Sequence, residues 1–174
     1  MTYHASLSPN ECAPGQLVIH HVHGVCRSDG FKTVVIYDVD INCLRLSIQH
    51  KNGIVFVPQN RIDTELRRQG TELDVRASFT ILKQPRAVRR QRWNQTLQKL
   101  RNQLRGGQLR ELAKVARDTF TISEWGQDEQ YIYEEALVRL SQEIALITSK
   151  SAADTKAALV EILTTKHFKM LREK

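Results

Sequence analysis

The first third of the chain alternates short apolar runs with turn-forming residues, a pattern typical of antiparallel strands. Asn52-Gly53 separates the last two runs and predicts a type I′ hairpin, while Ser28-Asp29-Gly30 predicts the turn before the second run. Because little room remains for helices, these runs predict a small antiparallel sheet or a partly closed barrel. The predicted strands cover residues 16–23, 31–41, 43–50 and 54–57.

After Pro58 the spacing of apolar residues changes to a helical period. Two short helices are predicted over residues 61–68 and 71–82, and Pro85 then interrupts the pattern. Gly106-Gly107 predicts a helix end and a tight turn. Beyond Pro85 four helices are predicted, over residues 86–104, 109–116, 128–148 and 152–168. The predicted fold class is therefore α+β, with a small N-terminal antiparallel sheet or barrel followed by a bundle of about four helices.

The 174 residues have room for one domain or two small ones. No segment approaches the ~20 uninterrupted apolar residues of a membrane span. The N-terminal segment lacks a basic region followed by an apolar core, so no secretory signal is predicted. Cys12, Cys26 and Cys43 form no CxxC pair, which favours reduced thiols in a cytosolic compartment. We therefore expect a cytoplasmic protein.

Positive charge is concentrated in one segment, residues 83–117, which we call the basic run. It holds eleven Lys and Arg residues and a single acid, Glu111, so its net charge is +10, whereas the whole chain is +7. Such a concentration of charge is typical of a protein that binds a phosphate backbone. Trp93 lies within the run, and a Trp can stack on bases or wedge between them.

Both features also have structural explanations. Trp93 shares a helical stripe with Leu97 and Leu100, so on its own it is expected in the core. A charge run is usually a solvated helix face. However, like charges one turn apart destabilise a helix, and the run contains almost no acid to neutralise them. A polyanionic partner is the preferred interpretation.

No catalytic or metal-binding pattern stands out. In a strand, His21 and His23 share a face while His20 points away, so at most two of them could ligate one ion, and no metal site is predicted. The P-loop, nucleophile-elbow, zincin and dinucleotide motifs are missing from the sequence. We therefore predict neither enzymatic activity nor a cofactor.

The order of these elements, with several short motifs, resembles the CarD family of bacterial transcription regulators. In the sheet half the motifs are Gly15, Leu17-Val18-Ile19, His23-Gly24-Val25 and Val55-Phe56-Val57-Pro58. In the helical half they are Arg89-Arg90-Gln91-Arg92-Trp93, Gly106-Gly107, Leu112-Ala113-Lys114-Val115-Ala116-Arg117-Asp118 and residues 133–140. The resemblance covers residues 15–163 and rests on the order and spacing of all these motifs.

The resemblance implies a mechanism with two partners. The N-terminal half is implied to be a Tudor-like domain, shared with transcription-repair coupling factors, that binds the lobe of the RNA polymerase β subunit through its sheet. Its candidate contacts are Val34, Ile36, Ile54 and Phe56. The helical half is implied to lie on promoter DNA, with the Trp inserted in the minor groove at the upstream fork of the bubble. Its candidate contacts are Arg86, Arg89, Arg90, Arg92, Trp93, Lys99 and Arg101.

The implied domains are a flexible N-terminus (1–14), the Tudor-like domain (15–60), a helical connector (61–84) and the DNA-binding domain (85–170). The chain departs from the family pattern at some positions. Familiar members carry Ser-Arg-Arg after the Trp, whereas this chain has Asn94-Gln95-Thr96. Phe56 and Val34 stand where family members have arginines.

We therefore expect a monomeric, nucleoid-associated transcription regulator that bridges RNA polymerase and promoter DNA and changes the stability of the open complex. The alternative is a protein–protein adaptor whose basic helices bind an acidic protein surface or RNA. The salt dependence of duplex binding separates the two. A sequence-specific helix-turn-helix repressor is disfavoured, because only Gly106-Gly107 before Gln108 offers a suitable turn.

Overall fold

The computed structural model of the chain describes residues 7–85, 93–120 and 126–172, with the backbone alone at positions 93, 94 and 166–172. The chain divides into two compact units, residues 1–69 and 70–174. The first, the sheet unit, holds the five strands, and the second, the helical unit, holds five of the α-helices. This arrangement confirms the predicted α+β class.

The sheet unit is an antiparallel sheet with strand order β4-β3-β2-β1-β5. Its core is formed by Leu7, Cys12, Val18, Cys26, Leu44, Leu46, Ile48, Val57, Ile62 and Leu66. The strands are β1 (Leu17–His20), β2 (Gly24–Ile36), β3 (Val39–Ile48), β4 (Ile54–Pro58) and β5 (Leu66–Arg67), and a short helix, α1 (Ile62–Glu65), precedes β5. Strand β5 was not predicted, because two residues are too few to establish a period.

The prediction of a turn at Ser28-Asp29-Gly30 is wrong, because these residues lie inside the long strand β2. The pairing of β2 with β3 shifts there, and Gly30 has φ +89°. A glycine with positive φ serves a β-bulge as well as a turn. The Ser28 hydroxyl donates to the carbonyl of Cys12 at 2.8 Å and accepts from the N–H of Gly30 at 3.2 Å, so the bulge is held from both sides.

The turn between β2 and β3 lies at Tyr37-Asp38, inside a segment predicted as one strand over residues 31–41, so that prediction is also wrong. Ile36 pairs with Val39, and the two intervening residues have φ of 50° and 60°. Two successive positive φ values are typical of a type I′ turn, which normally carries Asn-Gly. The hairpin between β3 and β4 exists, but neither Asn52 nor Gly53 has a positive φ, so the predicted turn type there is wrong.

The helical unit contains α2 (Glu72–Lys83), α3 (Trp93–Gly106), α4 (Leu109–Thr119), α5 (Gln127–Thr148) and α6 (Ala152–Arg172). Its core is built around α4, which buries Leu109, Leu112, Ala113, Val115 and Ala116. Helix α2 packs into this unit through Val75 and Leu82. None of the described helices is both long and apolar enough to cross a bilayer.

Local signals set the ends of two helices. Gly107 has φ +61°, and its N–H donates to the carbonyl of Leu104 at 3.2 Å, which is the expected glycine C-terminus of α3. The Ser151 hydroxyl accepts from the N–H groups of Ala153 and Asp154 at the start of α6.

Candidate interaction surfaces

The four predicted polymerase contacts lie on one face of the sheet. Phe56 pairs with Arg45 and Ile54 with Ser47 on one side of β3, and on the other side Val34 pairs with Ile41 and Ile36 with Val39. These partners are alternate residues of β3, and directly paired residues share a face, so all belong to the same face. We call it the outer face, because the opposite face carries the buried Leu44, Leu46 and Val57.

The outer face is apolar and accessible. Ile36, Ile54 and Phe56 expose 41%, 51% and 45% of their surface, and Val34 is half-buried. Strand β4 lies at the edge of the sheet. An edge strand offers backbone N–H and C=O groups to a partner strand. The structure therefore puts the four candidates on one face, with Ile54 and Phe56 on the edge strand β4 and Val34 and Ile36 farther along the sheet on β2.

A cation lies in the middle of this face and was not predicted. Arg45 is directly opposite Phe56, and its Nη1 is 3.6 Å from Oδ2 of Asp29. The same carboxylate oxygen accepts the Ser47 hydroxyl at 2.6 Å, so the bulge residue Asp29 fixes the direction of Arg45. The signal available in the sequence was the even spacing of Arg45 from Ile41, but it has meaning only once the register is known.

Residues 32–42 form a two-stranded extension, which we call the arm. Strand β1 pairs with β2 only as far as Arg27, and β4 pairs with β3 only from Cys43 onward, so in the described structure no third strand accompanies the arm. Both of its faces are exposed: Val39 exposes 58% of its surface on the outer face and Val35 64% on the opposite face. Tyr37 at the tip is 95% exposed.

The predicted DNA contacts are only partly within the described structure. Arg86, Arg89, Arg90 and Arg92 lie outside the described residues. Trp93 is the first residue of α3, and its side chain is also outside the description. Lys99 is exposed on α3, whereas Arg101 forms an ion pair with Asp128, with its Nη2 2.8 Å from Oδ1.

Four cations of the basic run are held by carboxylates, so the expectation of a run almost without neutralising acids is wrong. Besides Arg101 with Asp128, these pairs are Arg110 with Asp74 at 2.9 Å, Lys114 with Glu111 at 2.6 Å and Arg117 with Asp118 at 2.7 Å. Three of the acids, Asp74, Asp118 and Asp128, lie outside the run in sequence, and the fold brings them in. Lys83, Lys99 and Arg105 form no ion pair with any described residue.

The pair between Arg110 and Asp74 also closes the start of α2. Asp74 accepts the N–H and hydroxyl of Thr71 at 3.0 and 2.8 Å, and its own N–H donates back to the Thr71 hydroxyl. Burial raises the pKa of Asp74, but the hydrogen bonds from Thr71 and the charge of Arg110 outweigh it, so the pKa of this carboxyl lies below its ordinary value. The network joins α2 to α4.

The comparison with family models matched both units. A model described as the CarD-like/TRCF RID domain matches residues 13–69, and one described as the CarD, C-terminal domain matches residues 77–160. The chain belongs to the CarD-like family. A search of curated proteins returned no match. CarD-like domains imply a transcription factor that interacts with RNA polymerase, and members of this family are not enzymes.

The two surfaces fall in different CarD-like domains. The outer face lies wholly within the RID match, a domain type that interacts with the RNA polymerase β subunit. Lys99, Arg101 and the start of α3 lie within the C-terminal match. Arg117 and Asp118 belong to the motif that carried the resemblance. Each of these two side chains exposes only 7% of its surface. Arg117 also donates to Oε1 of Gln84 at 3.3 Å, so it anchors the residue that follows the end of α2.

In the RID domain of this CarD-like protein the histidines organise a turn. The expectation that His20, His21 and His23 continue one strand is wrong, because β1 ends at His20. Nδ1 of His20 accepts the N–H groups of Val22 and His23 at 3.0 and 3.3 Å, and the rings of His20 and His21 stack at 4.9 Å. Over the described ranges, no three His, Cys, Asp or Glu side chains are grouped to hold a metal ion.

The CarD-like helical domain contains a buried cation, Arg139, whose structural role was not predicted. Arg139 on α5 is 2% exposed, and its Nη2 donates to the carbonyl of Leu104 in the last turn of α3. A cation at a helix C-terminus satisfies carbonyls that lack helical partners. Glu135, one turn earlier on α5, lies 3.9 Å from Nε of Arg139. This contact holds the end of α3 on the bundle.

Proposed function

We infer that this CarD-like protein bridges the RNA polymerase β subunit and promoter DNA and changes the stability of the open complex. The observation that carries the proposal is the outer face, which presents Ile54 and Phe56 on the edge strand β4 and Val34 and Ile36 on the arm. We further propose that the protein acts as a monomer in the cytoplasm, where its partners are found.

The polymerase half of the proposal follows from the chemistry of the outer face. Exposed apolar side chains beside an unpaired strand edge are typical of strand-addition interfaces, in which the backbone supplies affinity and alternate side chains supply specificity. Arg45 at the centre favours a partner segment that carries a carboxylate among apolar residues. Held by Asp29, this guanidinium loses little side-chain entropy on docking.

The DNA half of the proposal rests on the basic run and on the family resemblance. Cations that contact phosphates supply affinity without base specificity, as suits a factor that acts at many promoters. Trp93 is proposed as a wedge at the upstream fork of the bubble. Unstacking a step costs a few kcal/mol, and this cost is lowest at a junction that is already distorted.

The polymerase half is tested with two exposed residues on opposite faces. Phe56 exposes 45% of its surface, about 90 Å² for a side chain of its size. Burying this apolar area on docking should contribute up to about 2 kcal/mol to the free energy of binding. Phe56→Ala should therefore weaken binding to core polymerase by up to about thirtyfold. Binding is measured by interferometry with immobilised polymerase and full-length variants.

Val35→Ala is the matched control, because Val35 is more exposed than Phe56 but lies on the opposite face of the sheet. It should leave the affinity for polymerase unchanged. If Val35→Ala weakens binding as much as Phe56→Ala, the outer face is not the docking surface. Circular dichroism of both variants establishes that each is folded.

The adaptor hypothesis is the second candidate, and the ion pairs within the helical unit favour it. Because Asp74, Glu111, Asp118 and Asp128 neutralise four cations of the run, the positive field there is smaller than the sequence suggests. An adaptor that contacts a protein surface should bind duplex DNA weakly and with little salt dependence. A steep dependence supports the DNA-binding function instead.

A further inference from the structure

The tip of the arm concentrates exposed apolar surface. Tyr37 exposes 95% of its surface, and the neighbouring Val35, Ile36 and Val39 are exposed as well. These residues lie within five positions, yet they are four of the eleven large apolar side chains that are exposed in the described part of the chain. Clustered apolar residues on a surface mark an interaction site, whereas single ones are scattered over any protein.

Tyr37 is also an unfavourable residue for its turn. Tyr37 and Asp38 have φ of 50° and 60°, which is the backbone of a type I′ turn. Such turns are built mostly from Gly, Asn and Asp, so Asp38 suits its position whereas the bulky Tyr37 does not. The phenol hydroxyl of Tyr37 makes no hydrogen bond to any described residue. Strain without a gain in the folded protein is typical of a functional site.

The charges around the tip decide which class of partner it suits. Asp38 and Asp40 lie within three positions of Tyr37, and Lys32 is the single cation of residues 32–42, so two acids and one cation give the arm a net charge of −1. Two carboxylates beside the ring repel a phosphate backbone, which disfavours stacking of Tyr37 on a nucleic-acid base. A protein pocket is therefore the suitable partner.

The tip is continuous with the outer face, the surface proposed to bind polymerase. Ile36, one of the candidate contacts on that face, directly precedes Tyr37. From Arg45, at the centre of the face, to Val39, at the base of the turn, β3 runs for six residues, or about 20 Å. An interface of standard size, about 800 Å² on each partner, is roughly 30 Å across. One partner can therefore cover the outer face and the tip together.

Resting on the proposed polymerase-binding function, we propose that Tyr37 is the anchor of that interface and inserts its ring into an apolar pocket of the RNA polymerase β subunit. Tyr is among the residues that most often dominate binding energy, because it offers a large, rigid ring with few rotatable bonds. No third strand accompanies the arm in the described structure, so the ring at its tip is free to enter a concave site.

The test substitutes the two turn residues separately. Tyr37→Asn and Asp38→Gly each introduce the residue that a type I′ turn favours at that position, so both should raise the midpoint of urea unfolding. Tyr37→Asn alone removes the ring, and it should weaken binding of the full-length protein to immobilised core polymerase at least about tenfold. Asp38→Gly should leave the affinity within about twofold. Tyr37→Phe keeps the ring and should retain the affinity within about threefold.

A second measurement follows the natural protein without any substitution. Hydroxyl-radical footprinting compares the oxidation of tyrosine side chains in the free protein and in its complex with core polymerase. Tyr37 should lose most of its reactivity in the complex, because an anchor residue is desolvated. Tyr131, which is 65% exposed on α5, is the matched control and should react equally in both samples. Undiminished oxidation of Tyr37 in the complex would overturn the inference.

The outcomes separate this inference from the function on which it rests. If Tyr37→Asn keeps the affinity while Phe56→Ala loses it, the tip is not an anchor and the polymerase-binding function stands. Equal losses from Tyr37→Asn and Asp38→Gly would trace the effect to the turn instead of the ring, which also overturns the inference. If light scattering shows a dimer that Tyr37→Asn dissociates while polymerase binding is unchanged, the ring docks on a second copy instead. If the natural protein does not bind polymerase, the proposed function and this inference fail together.

Discussion

The salt dependence of DNA binding measures how many cations of the basic run are available to phosphates. Within the described part of the chain four of its eleven cations are held in ion pairs, so at most seven are available. Each phosphate neutralised on duplex DNA contributes about −0.9 to the slope of log K against log salt. If the run supplies the phosphate contacts, the slope should be no steeper than about −6, instead of about −10 for all eleven.

The difference between these slopes is large enough to measure. Over a fourfold rise in salt concentration, affinity should fall at most roughly six-thousandfold, whereas eleven free cations predict a fall of roughly a millionfold. Fluorescence anisotropy with a labelled promoter duplex, repeated at several potassium chloride concentrations, gives the slope. A slope well beyond −6 would mean that the internal ion pairs open when DNA binds.

Two variants assign the effect to individual cations. Lys99→Gln removes a cation that pairs with no acid among the described residues and should make the slope shallower by about 0.9. Arg110→Gln removes a cation held by the buried carboxylate of Asp74 and should leave the slope unchanged. The reasoning is refuted if the two substitutions shift the slope equally.

Three further predictions concern individual residues. Asp74→Asn should lower the free energy of unfolding by about 1–3 kcal/mol at neutral pH, because it weakens the hydrogen bond from Arg110. Folding lowers the pKa of Asp74 from its unfolded value of 3.8, so this contribution is present above pH 3.8 and is lost as pH falls through the folded pKa. Urea melts below the folded pKa should therefore show a smaller difference in stability between the variant and the natural protein. Replacing Tyr37-Asp38 with Asn-Gly should raise the unfolding free energy by roughly 0.5–1 kcal/mol in urea melts, because both residues have positive φ; an unchanged midpoint would contradict this. Trp93→Ala should shorten the lifetime of the open complex, measured by competitor challenge, without changing the unfolding free energy; a cooperative loss of folding instead would mean that Trp93 belongs to the core.

Local patterns predicted the helical unit well. The end of α3 at Gly107 depends on one residue that tolerates positive φ, and the buried face of α4 follows from spacing alone. Both are properties of consecutive residues, so the sequence contains them directly. The change from strands to helices after Pro58 was visible for the same reason.

Features that depend on distant residues could not be predicted from the sequence. The bulge at Gly30 and the turn at Tyr37-Asp38 together set the register of β2 on β3, and only that register puts Val34 and Phe56 on one face. Similarly, the neutralisation of Arg110 depends on Asp74, which lies thirty-six positions away. A charge count within a window cannot include an acid that tertiary structure supplies.

The free-standing arm also has a consequence for how the protein behaves on its own. A two-stranded ribbon with open edges and apolar residues on both faces is a template for pairing with further copies of itself, the first step of aggregation. Three exposed charges, Lys32, Asp38 and Asp40, interrupt the apolar residues of the arm. Charged side chains on an open edge disfavour such pairing. The residues that keep this arm soluble are therefore different from those proposed to dock it.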